Sequence, residues 1–365
     1  MISNKMIRVP TLFLDPVRCK KNIKKMAAKA HRNNLEFRPH FKTHQSLEVG
    51  KWFKDIGVSK ITVSSLNMAA YFAQEWDDIT VAFPTNILEI ETINVLASKI
   101  HLNLCVENME VLLFLEKHLE STVGVFLKMD IGYNRTGVDS DDDSLIQDLL
   151  NQMRGIPFID FKGFLGHAGH SYLCRSKEAI EEVHQKSKEK IIQLKTKYKA
   201  QYPGLILSLG DTPSCSVSED FKGIDEIRPG NFVFYDLTQN IIGSNELDDV
   251  AVAMACPIVA KHPKRNELVI YGGGVHFSKD RVEDPKDGLI FGRVAEKNNL
   301  VWGSCLPDVF LKSLSQEHGI VSVPAEKMTA YEIGDFLWVL PVHSCMAADL
   351  MNELYTPKGR VISMM

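Results

Sequence analysis

The sequence lacks the features that mark three broad classes of protein. Its seven cysteines are odd in number and widely spaced, with no Cys-x-x-Cys pair, which argues against a disulfide framework. No apolar run is long enough to span a membrane, and the first residues show no signal-peptide pattern. The net charge of -4 leaves no basic surplus for nucleic acid. These absences predict a cytoplasmic protein with reduced thiols that binds neither membranes nor nucleic acid.

What the sequence does contain is a regular alternation of strand-like and helical segments. Eight short β-like runs are separated by stretches whose apolar residues recur at helical spacing. The runs lie at 35–41, 60–65, 78–83, 101–106, 123–130, 158–169, 205–210 and 226–236. Eight strand–helix repeats over this length predict a (β/α)₈ TIM barrel across residues 12–245, with an open, doubly wound sheet as the alternative.

The pattern changes after residue 245. Segments such as "NELVIYGGGVHFS" and "GDFLWVLPVHSC" are strand-like, with Gly and Pro between them and little helical periodicity. Residues 246–365 are therefore predicted to form a smaller, mainly β domain. The strand-like N-terminus, residues 1–11, is predicted to pair with it.

Lys42 lies in an unusual setting, the segment "RPHFKTHQS" at 38–46. Histidines, an arginine and a phenylalanine surround it in sequence, and it ends the first predicted strand. Nearby cations and partial burial disfavour the ammonium form of a lysine, and a neutral amine can form a Schiff base with a carbonyl compound. Lys42 is therefore either a candidate for imine chemistry or a strand-end lysine with fortuitous neighbours.

Polar residues follow several predicted strands at their carboxyl ends, where the active sites of such barrels lie. Arg135 occurs in "DIGYNRTGV" after the fifth strand. His167, His170 and Tyr172 occur in "GHAGHSY" after the sixth. Each has an ordinary structural explanation when taken alone, but their shared location favours an active site.

Residues after the last two predicted strands are suited to bind a phosphate group. They are Gly210, Thr212, Gly230 and Asn231. Glycines let backbone N–H groups approach an anion closely, and the threonine hydroxyl adds a donor. Barrels commonly hold phosphate beside their last two strands. A phosphate site together with an imine-forming Lys42 predicts pyridoxal phosphate as the cofactor.

The segment "PVHSC" at 341–345 contains a possible metal-binding pair. His343 and Cys345 are two residues apart on a predicted strand, so their side chains would share one face. Imidazole and thiolate are good zinc ligands, and a two-residue site would leave positions open to water or substrate. A buried His and Cys in a core strand is the alternative.

These motifs together resemble the D-serine dehydratase and D-threonine aldolase family. The similar segments are "RPHFKTH", "GHAGHSY", "GDTPS", "RPGNFVFYD" and "PVHSC". With "VPTLFLD" at the start, they run in order over nearly the whole chain. Members of the family are fold-type III, alanine-racemase-like pyridoxal phosphate enzymes, usually dimeric. The resemblance therefore implies a barrel followed by a β domain, and a homodimer.

The resemblance also implies roles for individual residues. Lys42 matches the lysine that carries the cofactor as a Schiff base. The residues that match cofactor contacts are Tyr172, Thr212, Gly230 and Asn231. His343 and Cys345 match ligands of a divalent metal. Their His-x-Cys form is more similar to the D-serine dehydratase branch, where zinc is usual, than to the aldolases, which typically show His-x-Asp.

Two positions depart from the family pattern. Leu165 stands where the dehydratases have a tyrosine, and Asp211 stands where a serine is expected before Thr-Pro. The first departure bears on packing beside the cofactor or on substrate choice. The second puts an acid close to the predicted phosphate.

The combined prediction is a metal-dependent pyridoxal phosphate lyase that acts on a D-3-hydroxy amino acid, with D-serine the leading candidate. Lys42 would be the general base, and zinc or manganese on His343 and Cys345 the Lewis acid. Arg135 would lie near the cofactor ring or form an ion pair at the barrel rim.

Other activities remain open on this sequence. Retro-aldol cleavage of D-threonine-like substrates is one alternative, and racemisation is another. Racemisation needs a second base on the side that the metal ligands would occupy. A non-catalytic pyridoxal phosphate carrier is the alternative from another class, but a carrier needs no metal pair.

Overall fold

The first two thirds of the chain alternates short strands with helices, as the sequence predicts. The computed structural model describes residues 7–298 and 301–365. The strands here are β1 (Thr11–Leu14), β2 (Glu36–Phe37), β3 (Lys60–Val63), β4 (Asp78–Pro84), β5 (His101–Val106), β6 (Val123–Asp130), β7 (Val138–Asp139), β8 (Ile159–Gly166), β9 (Ile206–Leu209) and β10 (Glu226–Ile227). The helices are α1 (Pro16–Arg32), α2 (Leu47–Lys54), α3 (Leu66–Phe72), α4 (Ile90–Ala97), α5 (Met109–His118), α6 (Asp143–Gly155), α7 (Lys177–Tyr198), α8 (Thr212–Val217) and α9 (Leu237–Ile241).

The last third of the chain is rich in strands. They are β11 (Val252–His262), β12 (Glu267–Tyr271), β13 (Val282–Asp284), β14 (Gly288–Ile290), β15 (Gly292–Lys297), β16 (Trp302–Leu314), β17 (His318–Ser322), β18 (Phe336–Pro341), β19 (Glu353–Tyr355) and β20 (Val361–Ser363). Two short helices accompany them, α10 (Gly274–Phe277) and α11 (Ser344–Met351).

Eight parallel strands form a barrel. Their order is β2, β10, β9, β8, β6, β5, β4 and β3, and β7 pairs with β6 outside this path. The ring closes just beyond β2, where His40 bridges Thr62 in parallel register and the Phe41 N–H donates to the Thr62 carbonyl at 2.8 Å. The structure thus confirms the predicted barrel and excludes the open, doubly wound sheet.

Strand β6 shows why the barrel strands could be recognised in the sequence. Its residues VGVFLKMD are buried except at the last position. Parallel strands of a barrel are covered by helices outside and packed with side chains inside, so they read as nearly continuous apolar runs. The observed bounds of β6 equal the predicted range 123–130.

A second sheet contains nine strands, in the order β12, β17, β16, β15, β18, β11, β1, β19 and β20. Strand β1 pairs antiparallel with β11, from Thr11 opposite Ala255 to Leu14 opposite Val252. The predicted N-terminal strand covered residues 1–11, and residues 1–6 of it lie outside the described part of the chain. The Trp338 ring packs edge-on against Phe13, with 5.0 Å between ring centroids.

The described residues divide into two compact units. The barrel unit comprises Lys25–Lys42 and Gly50–Gly230, and the strand-rich unit comprises residues 7–24, Thr43–Val49 and Asn231–Met365. The predicted boundary was 245/246, whereas residues 231–245 group with the strand-rich unit. The Ala251 N–H donates to the Phe234 carbonyl at 2.7 Å, which ties this segment to the chain that leads into β11.

None of the described helices is both long and apolar enough to cross a membrane.

Candidate active site

Lys42 follows the first barrel strand in a turn that is anchored by its neighbour. The Phe41 side chain is fully buried and packs against Phe53, Phe72 and Trp76, with ring centroids 5.0–5.1 Å apart. Such aromatic pairs are each worth about 0.5–1.5 kcal/mol beyond their buried area. Lys42 itself is exposed. The expected partial burial of Lys42 is therefore wrong, because the turn directs Phe41 into the core and leaves the next residue at the surface.

His167 lies directly after β8 and is held by β9. Its Nδ1 is 2.5 Å from the Gly210 carbonyl oxygen, which can only accept, so Nδ1 carries the hydrogen. Burial lowers the pKa of His167 well below its ordinary value, and the positive charges of Lys128, Arg135 and Lys42 act in the same direction. The ring is therefore neutral, and its Nε2 is a hydrogen-bond acceptor.

An aromatic group lies in the loop after β6. The Arg135 guanidinium is exposed and lies 4.9 Å from the centre of the Tyr133 ring, which is stacked with His170 at 6.2 Å. Gly169 is required here, because a Cβ would come within 2.3 Å of the Tyr133 ring. Tyr172 is half-buried in the short 3₁₀ turn Gly169–Leu173.

The predicted phosphate-binding residues Thr212 and Gly230 come together in the barrel unit. Thr212 begins α8, and its Oγ1 accepts a hydrogen bond of 3.3 Å from the Gly230 N–H. Gly210 allows β9 to approach the following segment, because a Cβ would come within 2.7 Å of the Arg228 backbone nitrogen. A backbone N–H and a hydroxyl at the start of a helix are donors of the kind that bind phosphate.

Asp211 has a structural role that the sequence left open. Its Oδ1 accepts hydrogen bonds from the Ser214 N–H at 2.7 Å and from Ser171 Oγ at 2.8 Å. Asp211 is therefore the N-cap of α8, a position that favours Asp as well as Ser. Burial raises the pKa of its carboxyl group. The other departure, Leu165, is buried in the core with Cys105 and Phe126.

Two buried cations of the barrel interior were not predicted. Arg228 donates from Nε to Ser208 Oγ and from Nη2 to the Gly166 carbonyl, both at 2.6 Å. Burial, together with the charges of Arg228 and Arg135, lowers the pKa of Lys128 to about 8 against the opposing effect of Cys105. The sequence offered two signals for these buried cations. Lys128 interrupts the apolar run of β6, and Arg228 comes two residues before Gly230.

His343 and Cys345 lie beside each other, but not on a strand as predicted. Strand β18 ends at Pro341, His343 is the N-cap residue of α11, and Cys345 lies in the first turn of that helix. The expected shared strand face is therefore wrong. Burial lowers the pKa of His343, but hydrogen bonds to Asp280 and Cys345 outweigh this effect and raise the pKa to about 11. The Cys345 Sγ also lies 3.2 Å from Thr43 Oγ1.

The Asn231 side chain contacts the segment that carries His343 and Cys345. Its Nδ2 donates to Asp236 Oδ2 at 2.6 Å, and it lies 3.2 Å from Ser344 Oγ and 3.5 Å from Cys345 Sγ. A contribution of Asn231 to phosphate binding would therefore come from its backbone. Asp236 and Ser344 were both missed by the sequence interpretation.

The residues predicted to bind pyridoxal phosphate and those predicted to bind zinc are each suited to that group. The barrel unit offers an exposed lysine and paired phosphate donors, which suit pyridoxal phosphate. The strand-rich unit offers an imidazole next to a thiol, which suits zinc. Within residues 7–298 and 301–365, no set of three or more His, Cys, Asp or Glu side chains is arranged to hold a metal. The pair His343–Cys345 would thus leave coordination positions open.

Comparisons with known proteins agree with this geometry. The family described as "Alanine racemase, N-terminal domain" matches residues 14–237, and that described as "Putative serine dehydratase domain" matches residues 251–356. D-serine dehydratase from Dictyostelium discoideum is 30% identical to this chain, and the alignment covers 94% of this chain and 91% of that enzyme. The chain belongs to the D-serine dehydratase and D-threonine aldolase family. It is a pyridoxal phosphate-dependent lyase.

Two other relatives are less similar to this chain. D-threonine aldolase from Arthrobacter sp. is 22% identical to this chain, and the alignment covers 98% of this chain and 90% of that enzyme. The structure of D-threo-3-hydroxyaspartate dehydratase from Delftia sp. HT23 superposes with a TM-score of 0.92 at 24% identity, covering 100% of this chain and 99% of that one. A mutant of the hydroxyaspartate dehydratase has also been solved in a form described as metal-free. The lower identity of the aldolase agrees with the predicted closeness to the D-serine dehydratase branch.

Proposed function

We propose that this enzyme is a D-serine dehydratase that converts D-serine to pyruvate and ammonia with pyridoxal phosphate and zinc. The observation that carries the proposal is the imidazole–thiol pair of His343 and Cys345, which the aldolase branch typically replaces with His and Asp. The name of the 30% identical relative supports the same substrate.

Pyridoxal phosphate would be held by the barrel unit. The Lys42 amine would form the covalent bond to the cofactor, and its exposure in the turn after β2 leaves it accessible. Thr212 Oγ1 would donate to the phosphate, and the Gly230 N–H, 3.3 Å from it, would be a second donor to the same anion. Asn231, Tyr172 and Arg135 would complete the cofactor contacts.

Zinc would be held by His343 and Cys345. Manganese is the alternative metal, but a thiolate ligand favours zinc, because softer metals prefer sulfur and manganese prefers oxygen. When bound, pyridoxal phosphate supplies an electron sink for the α-carbon, and zinc supplies a Lewis acid for the 3-hydroxyl group.

Three residues of the chain would provide the proton transfer, hydrogen bonding and charge at this site. When it is not bonded to the cofactor, the Lys42 Nζ would take the α-proton as general base. His167 stays neutral and fixed by the Gly210 carbonyl, so its Nε2 can accept a hydrogen bond without adding charge. The Arg135 guanidinium would supply a positive charge near the cofactor ring.

A panel of D- and L-hydroxy amino acids tests the proposal. The panel should include D-serine, D-threonine and D-threo-3-hydroxyaspartate, with 2-oxo acids, glycine and inverted substrate measured separately. We expect pyruvate from D-serine to exceed every other product. Glycine from D-threonine as the main product would establish an aldolase, and inverted substrate would establish a racemase.

We also propose that the enzyme works as a homodimer in the cytosol. All seven cysteines are free thiols, which agrees with a reducing compartment. The dimer rests on the family resemblance. Sedimentation equilibrium of the purified chain measures its mass in solution, and a monomer at micromolar concentration would contradict this part of the proposal.

A further inference from the structure

The His343 imidazole is held at one nitrogen by a residue far away in sequence. Its Nδ1 lies 2.8 Å from Asp280 Oδ2. A hydrogen bond to Cys345 engages the same ring. Because Nδ1 is engaged by a carboxylate, Nε2 is the ring nitrogen left to bind a metal ion.

The loop that carries Asp280 is shaped around this contact. Ser278 Oγ donates to Asp280 Oδ2 at 2.9 Å and accepts from the Asp280 N–H at 3.1 Å. Ser278 has φ +65° and ψ -175°, a conformation that residues with a Cβ rarely adopt. Such backbone strain costs about 1–3 kcal/mol and persists where the surrounding contacts require it. Here, the strained residue lies two positions before the carboxylate that bonds to His343.

We propose that Asp280 is a positioning residue for the metal site, which rests on the proposed role of His343 and Cys345 as zinc ligands. Asp280 accepts the Nδ1 hydrogen, fixes the tautomer and rotation of the ring, and makes Nε2 a stronger ligand. Carboxylates that bond to the second nitrogen of a metal-binding histidine act in this way, and their loss typically weakens metal binding by about 10–100-fold.

The experiment measures zinc affinity of the full-length, cofactor-loaded enzyme by competition with a chromophoric chelator. Asp280→Ala removes the acceptor, whereas Asp280→Asn keeps an oxygen that can accept the Nδ1 hydrogen. Glu283→Gln is the matched control, because it removes one negative charge from an exposed position three residues away. His343→Ala gives the zinc affinity of the enzyme without its proposed histidine ligand.

We expect Asp280→Ala to bind zinc about 10–100-fold more weakly, with Asp280→Asn within a few-fold of wild type and Glu283→Gln unchanged. The visible spectrum of the cobalt-substituted enzyme supplies a second readout. It should change in Asp280→Ala, because the freed ring can offer either nitrogen, and it should be retained in Asp280→Asn. A purely structural role would lower unfolding stability and leave the cobalt spectrum unchanged.

Each contrary outcome has a distinct meaning. If Asp280→Ala binds zinc like wild type while His343→Ala does not, Asp280 does not position the ligand and the proposed zinc site stands. If Asp280→Ala and Asp280→Asn both lose zinc as completely as His343→Ala, Asp280 is itself a ligand. If His343→Ala binds zinc like wild type, the zinc site in the proposed function is wrong, and the role of Asp280 is wrong with it.

Discussion

The amide of Asn231 donates a hydrogen bond of 2.6 Å to the carboxylate of Asp236. The same Oδ2 atom accepts from the Ser344 N–H at 3.0 Å, at the start of helix α11. One buried carboxylate therefore fixes the segment after Gly230 and the backbone between His343 and Cys345.

Replacing Asp236 should weaken both segments at once. Asp236→Ala leaves the buried donors of Asn231 and Ser344 without an acceptor, which costs about 1–3 kcal/mol for each unsatisfied group. We expect a clear loss of unfolding free energy in urea and weaker zinc binding. Asp248→Ala, at an exposed position of the same unit, is the control and should be close to wild type. An unchanged urea midpoint for Asp236→Ala would show that the segment is held by other contacts.

Lys42 should carry the cofactor. The purified protein should be yellow, and borohydride reduction followed by peptide mapping should find the cofactor on Lys42. Lys42→Arg keeps the positive charge but cannot form the covalent bond, so it should lose the label. A label on any other lysine would rule out this assignment.

Thr212 should contribute to phosphate binding. Thr212→Val keeps the shape of the side chain and removes the hydroxyl, so cofactor affinity should fall by about 1–3 kcal/mol, the range for hydrogen bonds to charged groups. The dissociation constant is measured by titrating the cofactor-free enzyme. Thr196→Val, at an exposed position of α7, is the control. Equal affinities for the two variants would place the phosphate elsewhere.

His44 should make the fold sensitive to acid. Burial lowers the pKa of His44 to about 3, and the Ser46 N–H donates to its Nδ1 at 3.1 Å. An unfolded chain binds this proton near pH 6.5, whereas the folded chain does not, so stability is lost as pH falls below about 6.5.

The variant His44→Gln isolates this effect. Between pH 7.5 and pH 5, the metal-free wild type should lose about 2 kcal/mol more unfolding free energy than the variant, since each pKa unit corresponds to about 1.4 kcal/mol. Urea denaturation at the two pH values measures the difference. Parallel losses in the two proteins would mean that His44 is protonated in the folded state.

The barrel could be predicted from the sequence because its strands are buried on both faces. The ranges predicted for β5 and β6 match the structure, since apolar runs bounded by turns indicate such strands directly. The eighth strand was predicted at 226–236 but ends at Ile227. Phe232 and Phe234 are buried in a turn, and Tyr235 has φ +50°. Apolar residues alone do not distinguish a buried turn from a strand.

The site was predicted less completely than the fold. Lys42, His343 and Cys345 are recognisable because their residue types suit a specific chemistry. Asp280 is not, because its partner His343 follows 63 residues later and the contact depends on how the loop folds. Asp236 looks like any acidic residue in a loop, and its burial becomes visible only in the structure. Residues that orient others leave little signal in a single sequence.

Elimination from D-serine should require the bound metal ion. Hydroxide is a poor leaving group from carbon, so elimination needs a Lewis acid on the 3-hydroxyl group, whereas cofactor binding by Lys42 does not. A chelator, or the variant Cys345→Ala, should therefore abolish pyruvate formation from D-serine while the cofactor absorbance persists. Cys305→Ala is the matched control, because Cys305 is also a half-buried thiol of the strand-rich unit.

Adding zinc back should restore activity to the chelated wild type and to Cys305→Ala, but not to Cys345→Ala. Manganese tests the alternative metal, and the thiolate ligand predicts a smaller recovery with it than with zinc. Pyruvate is measured by its reduction with a coupled dehydrogenase, and bound metal by elemental analysis of the same samples. If the metal-free enzyme still releases pyruvate at its original rate, His343 and Cys345 are structural residues and the proposed elimination mechanism is wrong.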